Sequence, residues 1–194
     1  MDKQLVLASG SPRRKELLSL LGVDFTIRAP EINESRHVGE DPAAYVRRVS
    51  SEKASAVTGS VILGADTCVV LEGTIYGKPV SLENAEAMLQ KLSGKVHKVI
   101  SGVAVRSDEQ LMVTVVHTDV EFISLNQRLI DWYLGLGESL DKAGAYALQG
   151  AGGSLIKAIN GSHSNVVGLP LVETASLLDR AGIDLMSSDR NRAS

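Results

Sequence analysis

The chain opens with a short apolar run, Leu5-Val6-Leu7-Ala8, that stops at Ser9-Gly10-Ser11-Pro12. Leu17, Leu18, Leu20 and Leu21 then recur with helical spacing. Ser11 stands at the N-cap, Pro12 suits the first helical position, and Gly22 marks the stop. This pattern predicts strand, tight turn, helix. Phe25 to Ala29 reads as a second strand, followed by a loop from Pro30 to Glu34. Asp41-Pro42 repeats the cap-and-proline start, and Tyr45, Val46, Val49, Ala54 and Val57 form the stripe of a helix ending at Gly59. Val61 to Ala65 predicts a buried strand ending at Asp66-Thr67. Cys68 to Leu71 and Thr74 to Tyr76 flank Glu72-Gly73 as a hairpin.

Ser81 caps a helix through Met88, Leu89 and Leu92, closed by Gly94. Lys98 to Val105 and Leu111 to Phe122 are β-branched stretches that predict an antiparallel pair. Ser124 is placed as the cap of a helix through Leu129, Ile130, Trp132 and Tyr133. Leu140 to Gly153 is rich in glycine and alanine and has little periodicity. Leu155 to Ile159 and Asn165 to Val167 flank Asn160-Gly161 as a second hairpin, and Leu171 to Leu178 is the last helix. Interleaved helices and strands with hairpins in the middle give an α/β class: a mixed twisted sheet flanked by helices. Residues 1–186 are expected to form one domain with two lobes, and 187–194 a tail.

Composition narrows what such a fold can do. With 194 residues, 44% hydrophobic and 22% charged, the chain is long enough for a core and too apolar for disorder. A formal charge of −3 makes a general nucleic-acid binder a poor fit, so any phosphate must be held by a few placed cations. No apolar run approaches a membrane span, and no leader-like start is visible. Cys68 is the single cysteine, which excludes an internal disulfide and fits a reducing, cytoplasmic setting.

Candidate chemistry concentrates in a few places. Ser9-Gly10-Ser11-Pro12-Arg13-Arg14-Lys15 brings a strand end, hydroxyls, a helix N-terminus and three cations together, a combination suited to an anion. The same string also suits a plain capped helix with solvated cations. Asp66, after an apolar strand, can bind a metal, activate water, or simply make a turn. Lys78 in Gly73-Thr74-Ile75-Tyr76-Gly77-Lys78-Pro79 is a candidate phosphate charge, although the spacing and Pro79 exclude a P-loop. Glu31 and Glu34 offer loop oxygens to a divalent cation. Lys53 falls within a helix, where a solvated face is the default. Gln149 can present a donor and an acceptor to a nucleobase edge. The four histidines show no ligand-like spacing.

In their order and spacing, several segments resemble the Maf family of nucleoside triphosphate pyrophosphatases. They are Leu7 to Leu18, Gly64-Ala65-Asp66-Thr67, Gly77-Lys78-Pro79, Leu92-Ser93-Gly94, Asp141 to Tyr146 and Gly168-Leu169-Pro170. The resemblance implies two lobes around a nucleotide cleft, as in the inosine triphosphate pyrophosphatases. It implies hydrolysis of a nucleoside triphosphate to the monophosphate and pyrophosphate, with Mg2+ or Mn2+ as cofactor. It assigns Asp66 as proton acceptor, Arg13, Thr67 and Gln149 as positions linked to base choice, and Lys53 and Lys78 as cleft lysines; with Ser9 and Arg14 of the first motif, Arg13, Lys53, Thr67, Lys78 and Gln149 are the expected substrate contacts. Ala143 to Gly150 resembles the dTTP/UTP branch; the 7-methyl-GTP branch carries Ser-Phe for Ala-Tyr and Glu for Gln here. Asn33 stands where the family often has an acid, so Glu31 with Asp66 is the metal pair expected. The implied partner is the nucleotide itself, with no nucleic acid and no membrane, and a homodimer is compatible with the family. The rival readings are a pyrophosphatase for CTP or 7-methyl-GTP, and a nucleotide-binding regulator of cell division without catalysis.

Overall fold

The structure, a computed structural model, describes residues 3–108 and 110–185; the expected tail over 187–194 lies outside the described residues. Its elements are β1 (Leu5–Ala8), α1 (Pro12–Ser19), β2 (Phe25–Ile27), α2 (Pro42–Ser55), β3 (Val61–Leu71), β4 (Thr74–Tyr76) and α3 (Leu82–Leu92). They continue with β5 (Val96–Ser107), β6 (Gln110–Phe122), α4 (Gln127–Gly135), β7 (Ile156–Asn160), α5 (His163–Val167) and α6 (Leu171–Arg180). Seven strands make one sheet in the order β2-β1-β3-β5-β6-β7, with β4 beside β3. β1 is parallel to both β2 and β3, whereas β3/β4 and β6/β7 are antiparallel. The mixed α/β sheet expected from the pattern is therefore present.

The chain forms two compact units. The first holds residues up to Asp66, Ser101–Val115 and the part from Gly168 onward; the second holds Thr67–Ile100 and Val116–Val167. In the first unit Val6, Ala8, Ala54, Ile62 and Ala104 form a core cluster. In the second, Val69, Leu89, Leu92, Val99, Phe122, Ile130, Tyr133, Tyr146 and Leu155 belong to a larger one. Cys68 is buried, as its apolar run suggested. No helix among the described residues is long and apolar enough to cross a membrane.

Three local expectations need correction. The strand beginning at Val61 does not stop at Asp66-Thr67 but continues to Leu71, where Val69, Val70 and Leu71 pair with β4. The α4 cap is Asn126, whose side chain accepts from the Leu129 N–H at 2.9 Å, rather than Ser124. Asn165 to Val167 is helical, not a strand. Asn165 is wholly buried, and its amide donates to the Val99 carbonyl (3.0 Å) and the Thr118 hydroxyl (2.9 Å). A buried amide needs such partners, and the short helix supplies the geometry.

Candidate active site

The first unit assembles its polar centre around β1, β3 and α2. The parallel β1/β3 register ends at Ala8 opposite Gly64. Ser9 follows the last paired position directly, and Asp66 follows it by two residues. Gly64 and Asp66 lie two apart on β3 and so share a face. That face lies against α2, which approaches closely because glycines permit it. A Cβ on Gly64 would stand 2.3 Å from the Ser50 carbonyl oxygen and 2.7 Å from the Ala54 nitrogen. One on Gly102 would stand 2.2 Å from the Val46 carbonyl oxygen. The Asp41 side chain caps α2 by accepting from the Ala43 and Ala44 N–H groups, as the Asp-Pro start predicted.

On this closely held helix, Lys53 reaches Asp66. Its Nζ donates to Asp66 Oδ1 at 2.8 Å and lies 2.9 Å from Glu34 Oε2. The Lys53 and Asp66 side chains are 7% and 8% exposed, whereas Glu34 is 50% exposed. Lys53 is therefore not on a solvated face. Burial of either charge alone would cost several kcal/mol, of order 3–5, and only pairing makes it tolerable. The loop acid that reaches this lysine is Glu34. Glu31, expected as the metal partner of Asp66, is exposed three residues earlier in the same loop. No cluster of three or more His, Cys, Asp or Glu suited to a metal occurs among the described residues.

The loop that carries Glu34 is tied to α2 by Arg48. Its Nε and Nη2 grip the two oxygens of Glu40 at 2.7 and 2.9 Å, and Nη2 also donates to the Ser35 carbonyl at 3.0 Å. This fork holds the Glu40 carboxyl at about 2, well below its ordinary value.

Ser9, 5% exposed, closes the turn into α1: its Oγ accepts from the Ser11 N–H at 3.2 Å and from Arg14 Nη1 at 3.3 Å. Arg14 Nε donates to the Gly168 carbonyl at 3.0 Å. Arg14 thus knits the first motif to the last, Gly168-Leu169-Pro170. Burial pulls its guanidinium below the ordinary value, the charges of Asp66 and Glu34 oppose that shift, and Arg13 adds to it. Ser9, Arg14, Lys53, Asp66 and Glu34 therefore form one electrostatic group, with Arg13 close enough to act on it.

The remaining predicted residues lie in the second unit. Thr67 follows Asp66 along β3 and is half-buried; Lys78 and Gln149 are exposed. Lys78 follows Gly77, whose carbonyl accepts the Gly144 N–H at 3.1 Å, so the Gly77-Lys78-Pro79 motif is pinned to the Asp141–Tyr146 motif. Sequence reading passed over His97. It is buried, with Nε2 2.8 Å from the Tyr146 hydroxyl, and it packs edge-on against Phe122 and Tyr146. Burial lowers its pKa to about 4, with Asp119 opposing, and raises that of Tyr146. It lies just before the predicted strand Lys98 to Val105, in a β5 that begins at Val96, and nothing in the sequence announced its tyrosine partner.

Comparison with known proteins supplies the remaining context. Residues 4–181 match the family described as Maf-like protein. A protein of Anaeromyxobacter dehalogenans named dTTP/UTP pyrophosphatase is 52% identical over 189 residues, covering 95% of this chain and 97% of that protein. A protein of the same name from Myxococcus xanthus is 51% identical, covering 93% and 94%. One from Symbiobacterium thermophilum is 45% identical, covering 95% and 97%.

Proposed function

Because the chain belongs to the Maf-like protein family, we propose that it is a nucleoside triphosphate pyrophosphatase acting on dTTP and UTP. The observation that carries this reading is the buried Lys53–Asp66 pair next to the Ser9–Arg14 turn, in a chain 52% and 51% identical to proteins named for that activity.

The reaction requires a neutralised polyanion and a water aligned with the α-phosphorus. In the first unit, the N-terminus of α1 offers backbone N–H groups and a favourable dipole to phosphate oxygens. Arg13 and Lys53 add charge, and Arg14, fixed by Ser9 and Gly168, keeps the turn in shape. Lys53 engages Asp66 Oδ1, so Oδ2 is the oxygen assigned to accept a proton from water. The water oxygen bonds to the α-phosphorus, the bond to the bridging oxygen breaks, and pyrophosphate leaves. No covalent intermediate on the protein is needed. In the second unit, Lys78 is assigned to phosphate charge, and Thr67 and Gln149 to the pyrimidine.

The donor set suits a hard divalent cation. Asp66 and Glu34 already converge on one ammonium, so the spot between them accommodates positive charge. Asp66 and Glu34 would hold Mg2+ or Mn2+, and the bound ion would offset phosphate charge; Glu31, the partner expected from the sequence, is not brought into a three-carboxylate group with them.

A screen of nucleoside triphosphates with Mg2+ or Mn2+, reading pyrophosphate release, tests the reading. Preference for dTTP and UTP is the expected result. Preference for CTP or 7-methyl-GTP would reassign the substrate, and absence of release with every nucleotide would favour a binding-only regulator.

A further inference from the structure

We propose that Glu138 is a positioning residue for Gln149 and thereby a determinant of nucleobase choice; this rests on the base-contact reading of Gln149 given above. Gln149 is exposed and Leu148 before it is half-buried, so little side-chain packing fixes this span. Besides a backbone bond from the Gly153 N–H to the Gly150 carbonyl (3.3 Å), it is held by a pair of side chains from α4 and the turn after it. On one side, the Tyr133 hydroxyl, on the last turn of α4, accepts the Ala147 N–H at 3.1 Å. On the other, Glu138 Oε1 accepts the Ala151 N–H at 3.4 Å. Leu148, Gln149 and Gly150 lie between these two pins.

Gly150 shows how closely the carboxylate is seated. Its φ of 85° and ψ of −154° fall in a region open essentially to glycine. A Cβ there would stand 2.9 Å from Glu138 Oε1 and 3.0 Å from Oε2. The carboxylate occupies the space in which a side chain at residue 150 would sit. Gly152 repeats the arrangement at the other pin, where a Cβ would stand 3.0 Å from the Tyr133 hydroxyl and 2.2 Å from the Ala147 carbonyl oxygen. Glu138 Oε2 is buried without a hydrogen-bond partner among the described residues. A buried, half-satisfied carboxylate costs stability, and a neutral side chain would fill the space more cheaply. Its presence is accounted for if the rigid placement of the next residue, Gln149, matters. Base discrimination by a single amide depends on such rigidity, because a mobile amide turns over and serves cytosine as well as uracil.

The test uses full-length Glu138→Ala, Glu138→Asp and Glu138→Gln proteins, with KM and kcat measured for UTP, dTTP, CTP and GTP. Alanine removes the acceptor and aspartate withdraws it by one methylene. Both variants should raise KM for UTP and dTTP about fivefold to tenfold, the reach of one hydrogen bond. They should narrow the preference over CTP and leave kcat within about twofold, because the hydrolytic groups of the first unit are untouched. Glutamine keeps an acceptor oxygen and should restore the preference. If Glu138→Ala unfolds, the Asp and Gln variants carry the comparison. In a Gln149→Ala background, Glu138→Asp should add nothing to KM; a general structural role would still add its own loss. If Gln149→Ala alone leaves nucleotide preference unchanged, the base-contact reading fails. If Gln149→Ala alters preference while Glu138→Asp does not, or lowers kcat equally for all four nucleotides, the Glu138 assignment is overturned.

Discussion

Replacing Lys53 with methionine would leave Asp66, 8% exposed, without the ammonium that now lies 2.8 Å away. Methionine keeps the length and apolar stem of the side chain, so the loss is mainly one of charge. Removing one partner of a buried ion pair costs about 3–5 kcal/mol, most of it from the carboxylate left behind. Arg14 also acts on Asp66 electrostatically and holds the cost toward the lower end of that range. Glu34 is half exposed, and its separation from Lys53 adds little, about 0–1 kcal/mol. A loss near 3 kcal/mol is therefore expected. With a urea m-value of about 1–3 kcal/mol/M, the unfolding midpoint should fall by roughly 1–3 M. The comparison that isolates the pair is a cycle with Asp66→Asn. The double variant has no unpaired buried charge at this point and should recover a coupling of about 2 kcal/mol or more. Urea titrations of the four proteins read all of these quantities. A Lys53→Met protein within about 0.5 kcal/mol of the parent, or strictly additive losses in the cycle, would refute the claim that the pair is held as a buried unit.

Two further substitutions probe the helix contact of the first unit and the buried histidine of the second. Gly64→Ala places a methyl 2.3 Å from the Ser50 carbonyl oxygen and should cost about 1–3 kcal/mol or more while displacing Lys53, so stability and kcat fall together; unchanged values in urea melts and turnover would contradict this. His97 gives a pH signature. Its folded-state pKa of about 4 lies below its ordinary 6.5, so the unfolded chain binds the extra proton between those values. Its contribution is full above about pH 6.5, declines as pH falls and levels off below about 4, for a total of up to about 3 kcal/mol. In urea midpoints taken from pH 7 to pH 4, His97→Asn should flatten that part of the profile; an unaltered slope would remove His97 as its cause.

Much of the element order was legible because local signals and tertiary demands agreed. Asp41-Pro42 both caps α2 and starts it, and Glu72-Gly73 takes positive φ at both residues to turn β3 into β4. Where they disagreed, the tertiary demand prevailed. Asp66-Thr67 has the composition of a turn, yet the strand passes through it because Lys53 compensates the buried acid. Asn165 sits in a helix because its amide is needed at Val99 and Thr118. At the candidate site, the motif residues Ser9, Arg14 and Asp66 were visible as residue types in a suggestive order. The spacing of Gly64 from Asp66 contained the approach of α2, but only the partner helix gives that spacing a meaning. Glu34 was visible as a loop acid, yet nothing local ranked it above Glu31. That choice is made by the Arg48 fork on Ser35 and Glu40, a contact set by the fold. Glu138 has no local signal at all, because its partner lies 13 residues away in an irregular loop.

The most direct test of the account is Asp66→Asn, assayed for pyrophosphate release and, by calorimetry with a non-hydrolysable dTTP or UTP analogue, for nucleotide binding. The amide keeps the shape of the side chain and cannot take a proton from water at neutral pH. Release should fall about 10³-fold while the dissociation constant changes only a few-fold. Turnover within tenfold of the parent, or loss of binding in step with loss of turnover, would contradict the role assigned to this carboxylate.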